Sequence, residues 1–127
     1  MSGYAELIES CGPRLIEEYM IGDWSGDLII LFDDKNGNYG LLTTGYGSCS
    51  GCDAFEAAIG DEKELDKLKT RLYNSIIWKS APEMIEYLRE KEWWQEYYFS
   101  EVKEKEDFKV FLDTCIETIT ISYLACI

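Results

Sequence analysis

The constraint that most limits the fold is a short apolar strand joined to a turn signal. Asp27 to Phe32 reads as a strand that is nearly all apolar, the pattern of a strand covered on both faces. Asp33 to Asn38 follows as a hairpin loop, and its Asn36-Gly37 pair is the strongest short turn signal in the chain. Tyr39 to Thr44 supplies the return strand. The segments on either side must therefore provide cover, and most of them have helical spacing.

Tyr4 to Met20 reads as helical, with a restart at Gly12-Pro13 where proline suits a first turn. Gly22 to Gly26 is a turn, and Gly45 to Gly51 is a glycine- and serine-rich loop. Asp53 is placed to cap a short helix over Ala54 to Ile59. Asp61 is placed to cap a longer one, with Leu65, Leu68, Leu72, Ile76 and Trp78 on one face. Ser80-Ala81-Pro82-Glu83 has the form of a capping box ahead of Met84, Ile85, Tyr87 and Leu88. Trp93-Trp94 and Tyr97 to Phe99 read as an extended aromatic segment. A last helix is expected from about Glu104 onward, although Thr118 to Ile121 is rich enough in β-branched residues to be a strand. The expected class is α+β: a hairpin, with room for a third strand, packed against several helices in a single domain over residues 1–127.

Composition narrows the chemistry. There is no histidine, which excludes Ser-His-Asp and Cys-His catalysis and any histidine-ligated metal. The net charge is −13, which excludes a simple basic nucleic-acid binder and charge-driven attachment to anionic lipid. The acid is uneven: residues 1–60 hold ten acids and two bases, and residues 61–127 hold fifteen acids and ten bases. The N-terminus lacks the pattern of a signal peptide. Five cysteines, an odd number with one close pair, point to a reducing cytoplasmic setting.

The close pair is the most specific feature. In Tyr46-Gly47-Ser48-Cys49-Ser50-Gly51-Cys52-Asp53, two thiols two residues apart can share a tetrahedral ion, can form a redox pair, or can be small residues in a turn. As a zinc site the pair is half complete. The remaining ligands must come from Cys11, Cys115, Cys126 or a carboxylate such as Asp53, and Cys49, Cys52, Cys11 and Cys115 form the expected set. The acids make a second feature, because carboxylates on a rigid surface can imitate a phosphate backbone and occupy a basic groove. Glu17, Glu18, Asp23, Asp27, Asp33 and Asp34 are the candidate contacts, with Trp93 and Trp94 as aromatic anchors. Asp33-Asp34 as a hydrolytic carboxylate pair is disfavoured, because turn chemistry already accounts for it.

Gly22-Asp23-Trp24-Ser25-Gly26-Asp27, Tyr39-Gly40-Leu41-Leu42, the Cys49–Cys52 motif, Ile77-Trp78 and Tyr87-Leu88 together resemble a family of small acidic bacteriophage and prophage proteins. The resemblance covers roughly residues 22–98, and the cysteine motif is its one specific part. Size, charge and setting are also similar to zinc-containing anti-CRISPR inhibitors of type II-A Cas9 nucleases. That resemblance implies a non-enzymatic DNA mimic acting in the cytoplasm of a bacterial host. Its partner would be Cas9, which it would block from loading nucleic acid, and Cys49 and Cys52 would ligate a structural zinc. A small thiol-redox or metal-handling protein using the same two cysteines is the alternative.

Overall fold

A computed structural model describes residues 2–22, 26–47 and 53–125. The elements in chain order are α1 (Gly3–Glu9), β1 (Arg14–Ile21), β2 (Gly26–Asp33), β3 (Asn38–Tyr46), α2 (Ala54–Ala58), α3 (Glu62–Ser75), β4 (Ile77–Ser80), α4 (Ala81–Glu90), α5 (Trp93–Glu96) and α6 (Val102–Ala125). The strands form one antiparallel sheet in the order β1-β2-β3-β4. The class is α+β, as the sequence predicts.

Strand β2 organises the whole. Its side chains alternate between two cores, with Leu28, Ile30 and Phe32 in one and Ile29 and Leu31 in the other. The first core is closed by Tyr4, Ala5 and Ile8 of α1 and by Ala58, Leu68 and Leu72 from α2 and α3. The second is closed by Met84 and Leu88 of α4, Trp93 of α5, and Phe108, Leu112, Cys115 and Ile119 of α6. The sheet is thus sandwiched between two helical layers, which is why an uninterrupted apolar strand is tolerated.

The hairpin joining β2 to β3 is held by its own side chains. The Asp34 carboxylate accepts the backbone N–H groups of Asn36 and Asn38 at 2.8 and 3.0 Å, and Gly37 takes φ 92°. Asp53 and Asp61 cap α2 and α3 as expected, each accepting two N–H groups of the following turn. At α4 the capping box takes a different form. The Ser80 hydroxyl donates to the Glu83 carboxylate at 2.8 Å instead of accepting an N–H.

Three expectations are corrected and one open alternative is decided. Arg14 to Ile21 is a strand and not a helical continuation, because it pairs along its length with β2, with a bulge between Leu15 and Glu17. Ile76 ends α3 and Trp78 belongs to β4, whose four residues pair with β3. Trp93 to Glu96 is a helical turn rather than an extended segment, with the Trp93 indole N–H donating to the Leu88 carbonyl at 3.0 Å. Thr118 to Ile121 continues the expected last helix rather than forming a strand, and Thr120 returns its hydroxyl to the Ile116 carbonyl at 2.7 Å.

Candidate functional site

The stem of the cysteine loop is built on one carboxylate. Asp53 stands at the start of α2, and one of its oxygens, Oδ1, accepts the Phe55 and Glu56 N–H groups at 2.9 and 3.2 Å. The same oxygen accepts the Tyr4 hydroxyl at 2.6 Å. Oδ2 accepts the Gly47 N–H at 3.1 Å. Asp53 therefore joins the end of β3, the start of α2 and α1. Burial pushes its carboxyl upward, but the hydrogen bonds from Tyr4, Gly47, Glu56 and Phe55 outweigh that and lower its pKa. Burial, reinforced by the bond to Asp53, raises the Tyr4 phenol to about 12.

Beside this stem lies a cleft of about 300 Å³ between α1, β1, β3 and α2. Its apolar lining includes Met20, Leu28, Phe55 and Ile59, and Glu56 stands in the wall. Met20 and Ile59 are 51% and 59% exposed, high values for apolar side chains next to a cavity. The helical layer around it carries exposed carboxylates at Glu6, Glu56, Asp61, Glu62, Glu64 and Asp66. Glu64 and Asp66 pair with Lys67 and Lys69, and Asp61 is committed to its cap. Among the described residues Glu6, Glu56 and Glu62 have no ion-pair partner, so their charge faces outward.

The expected contact residues are dispersed. Glu18 accepts the Ser2 N–H at 2.8 Å and supports the start of α1. Asp33 is buried and paired with Arg14 at 2.6 Å. Asp34 is used by the hairpin, and Trp93 is core. Glu17 and Asp27 are half-buried on β1 and β2. Trp94 is exposed at its edge and lies under Lys105 and Lys109, at 5.3 and 5.5 Å from the ring centre. Asp23 falls outside the described residues.

Cys49, Cys52 and Cys126 also fall outside the described residues. The other two expected ligands are not brought together. Cys115 is fully buried among the α6-side core residues, whereas Cys11 is exposed in the turn after α1, on the opposite face of the sheet. A single tetrahedral ion cannot take both thiols. Among the described residues there is no group of three or more Cys, Asp or Glu side chains placed to hold a metal. Burial, with the Glu17 charge adding to it, raises the Cys115 thiol to about 12, which marks a packing residue rather than a nucleophile.

Tyr4, Met20 and Ile59 are the site residues that the sequence did not reveal. The Asp53 cap was legible, but nothing in the spacing links Tyr4 to it. Met20 lies in a segment whose sequence predicts a helix, and only its place on β1 sets it beside the cleft. Among the described residues no helix is long and apolar enough to cross a membrane. A scan against protein-family models and searches of curated proteins and of solved structures find no match to this chain.

Proposed function

We propose that the chain is a non-enzymatic binding protein that docks its α1–α3 face onto a basic groove of a nucleic-acid-handling protein. The observation that carries this reading is the cleft with exposed Met20 and Ile59, set in a layer where, among the described residues, the unpaired carboxylates of Glu6, Glu56 and Glu62 outnumber the unpaired cations Lys63 and Arg71. An apolar centre with a charged surround is the anatomy of a protein interface. The sign of the charge selects a cationic partner. A groove that ordinarily holds a phosphate backbone presents that charge, and occupying it would exclude nucleic acid. The resemblance to anti-CRISPR inhibitors makes a type II-A Cas9 nuclease in a bacterial cytoplasm the partner to test first. The apolar anchor in this reading is Met20 and Ile59, not the buried Trp93.

Binding of the chain to guide-free Cas9 tests the proposal, with two surface variants whose folding is checked by thermal melts. Ile59→Ser removes the anchor, and the triple variant Glu6→Lys, Glu56→Lys, Glu62→Lys reverses the surround. Each is expected to weaken binding by about tenfold or more. Undiminished binding by both variants, or no binding by the parent chain, contradicts the proposal.

A further inference from the structure

The first sixty residues contain two basic side chains, Arg14 and Lys35, and both line the same cavity. It lies on the α4/α6 side of the sheet, at the hairpin end, and has a volume of about 330 Å³, within the range of small-molecule sites. A second cavity of about 250 Å³ shares Arg14, Asp33, Tyr39 and Ser122 with it. In a chain of net charge −13, the gathering of these cations at one concave site needs a cause.

The geometry shows how the site is made. Arg14, Asp33 and Tyr39 are successive cross-strand partners on β1, β2 and β3, so their side chains share one face of the sheet. Arg14 donates through Nε and Nη2 to one Asp33 oxygen, at 3.0 and 2.6 Å. That leaves Nη1 with no hydrogen-bond partner among the described residues, on a side chain 66% exposed. The other Asp33 oxygen accepts the Lys35 backbone N–H at 2.9 Å. Asp33 thus orients the arginine and fixes the hairpin, and the pair leaves Lys35 as the surplus charge. Lys35 has φ 66°, in the left-handed region where lysine is uncommon, and its ammonium has no ion-pair partner among the described residues. Tyr39 is mostly buried and lines both cavities, and its hydroxyl, which reaches solvent there, has no hydrogen-bond partner among the described residues. An accessible hydroxyl on an otherwise buried ring is held in place to donate to whatever occupies the cavity. Ser122 of α6 adds to the wall a further hydroxyl with no hydrogen-bond partner among the described residues.

We propose that this cavity binds the phosphoryl group of a small phosphate monoester. Arg14 Nη1 and the Lys35 ammonium would meet its charge, and the Tyr39 and Ser122 hydroxyls would donate to its remaining oxygens. A phosphate monoester brings three terminal oxygens and a charge of about −2 to the two cations, whereas a carboxylate brings two oxygens in one plane and a single charge. The volume beyond the anion, walled by Tyr123 and Ala81, would take the organic body.

The test is a titration of the whole chain with phenyl phosphate, inorganic phosphate and benzoate, followed by calorimetry and by amide NMR shifts. Phenyl phosphate is expected to bind, to shift the amides of Lys35, Gly37 and Ser122, and to outcompete benzoate. Inorganic phosphate separates a site for the bare anion from one that needs the ester. Equal affinity for both phosphates contradicts the ester and leaves an anion site. Lys35→Ala should weaken phenyl phosphate by about tenfold and Tyr39→Phe by about threefold, with thermal melts showing that both remain folded. Lys67→Ala, in the separate cavity between α2 and α3, should leave the affinity unchanged. Absence of binding, benzoate binding as tightly, shifts confined to the α2–α3 cavity, or full affinity in both site variants would each overturn the proposal.

Discussion

The Tyr4 hydroxyl donates to the Asp53 carboxylate at 2.6 Å and ties the first helix to the cap of the second across forty-nine positions of chain. Both groups are buried, and Asp53 uses its two oxygens on four donors. Tyr4→Phe keeps the ring against Phe55 and removes only the hydroxyl. The expected loss is about 1.5–3 kcal/mol, the range for a hydrogen bond to a charged group. Urea unfolding of the variant against the parent measures it. A loss near zero would mean that solvent replaces the hydroxyl.

The same groups set the pH dependence. Asp53 and Asp34 have pKa values below the ordinary 3.8: in each, burial raises the value and hydrogen bonds more than reverse it. Their contribution is therefore present above that pH and lost as pH falls through the folded values. Tyr4 and Cys115 are both raised to about 12 by burial, from 10.0 and 9.0. Their contribution is full below those ordinary values and lost as pH rises toward 12. Thermal melts across pH should fall at both ends, and Tyr4→Phe should flatten part of the alkaline loss. An alkaline limb unchanged in that variant would contradict the assignment.

Gly40 sits on β3 opposite Trp78 of β4. A Cβ there would lie 2.6 Å from Ile76 Cγ2 and 2.8 Å from the Trp78 ring. Gly40→Ala must displace packed side chains, at about 1–3 kcal/mol. The loss should be visible as a lower melting temperature with altered tryptophan fluorescence.

The described cysteines should differ sharply in reactivity. Cys11 is exposed, and Cys115 is enclosed with its thiol held protonated at neutral pH. Alkylation of the folded chain followed by peptide mapping should label Cys11 quickly and Cys115 only after denaturation. Comparable labelling in the native state would contradict the packing of α6.

Much of this arrangement was legible, and the exceptions have physical causes. The Leu28 to Phe32 run announced cover on both faces, and Asp53 and Asp61 announced two helix starts, because those signals are local. Strand β1 was missed because Leu15, Ile16 and Tyr19 also fit a helical face, and pairing with β2 decided the matter. Trp93 and Trp94 read alike in sequence, yet one is core and one is exposed: neighbours part by about 100° on a helix and about 180° on a strand, so either would split the pair and only packing decides which ring is inside. The acids of the hairpin looked like contacts because charge is visible in a sequence and hydrogen-bond duty is not. The Arg14–Asp33 pair shows the same limit: nineteen positions separate residues joined by two hydrogen bonds.

The docking proposal is tested most directly by measuring the affinity of the chain for guide-free Cas9 across a salt series, in parallel with the Glu6→Lys, Glu56→Lys, Glu62→Lys variant. The account predicts that parent affinity falls steadily as salt rises and that the variant binds weakly with a shallower dependence. Affinity independent of salt, or equal slopes for the two chains, would contradict it.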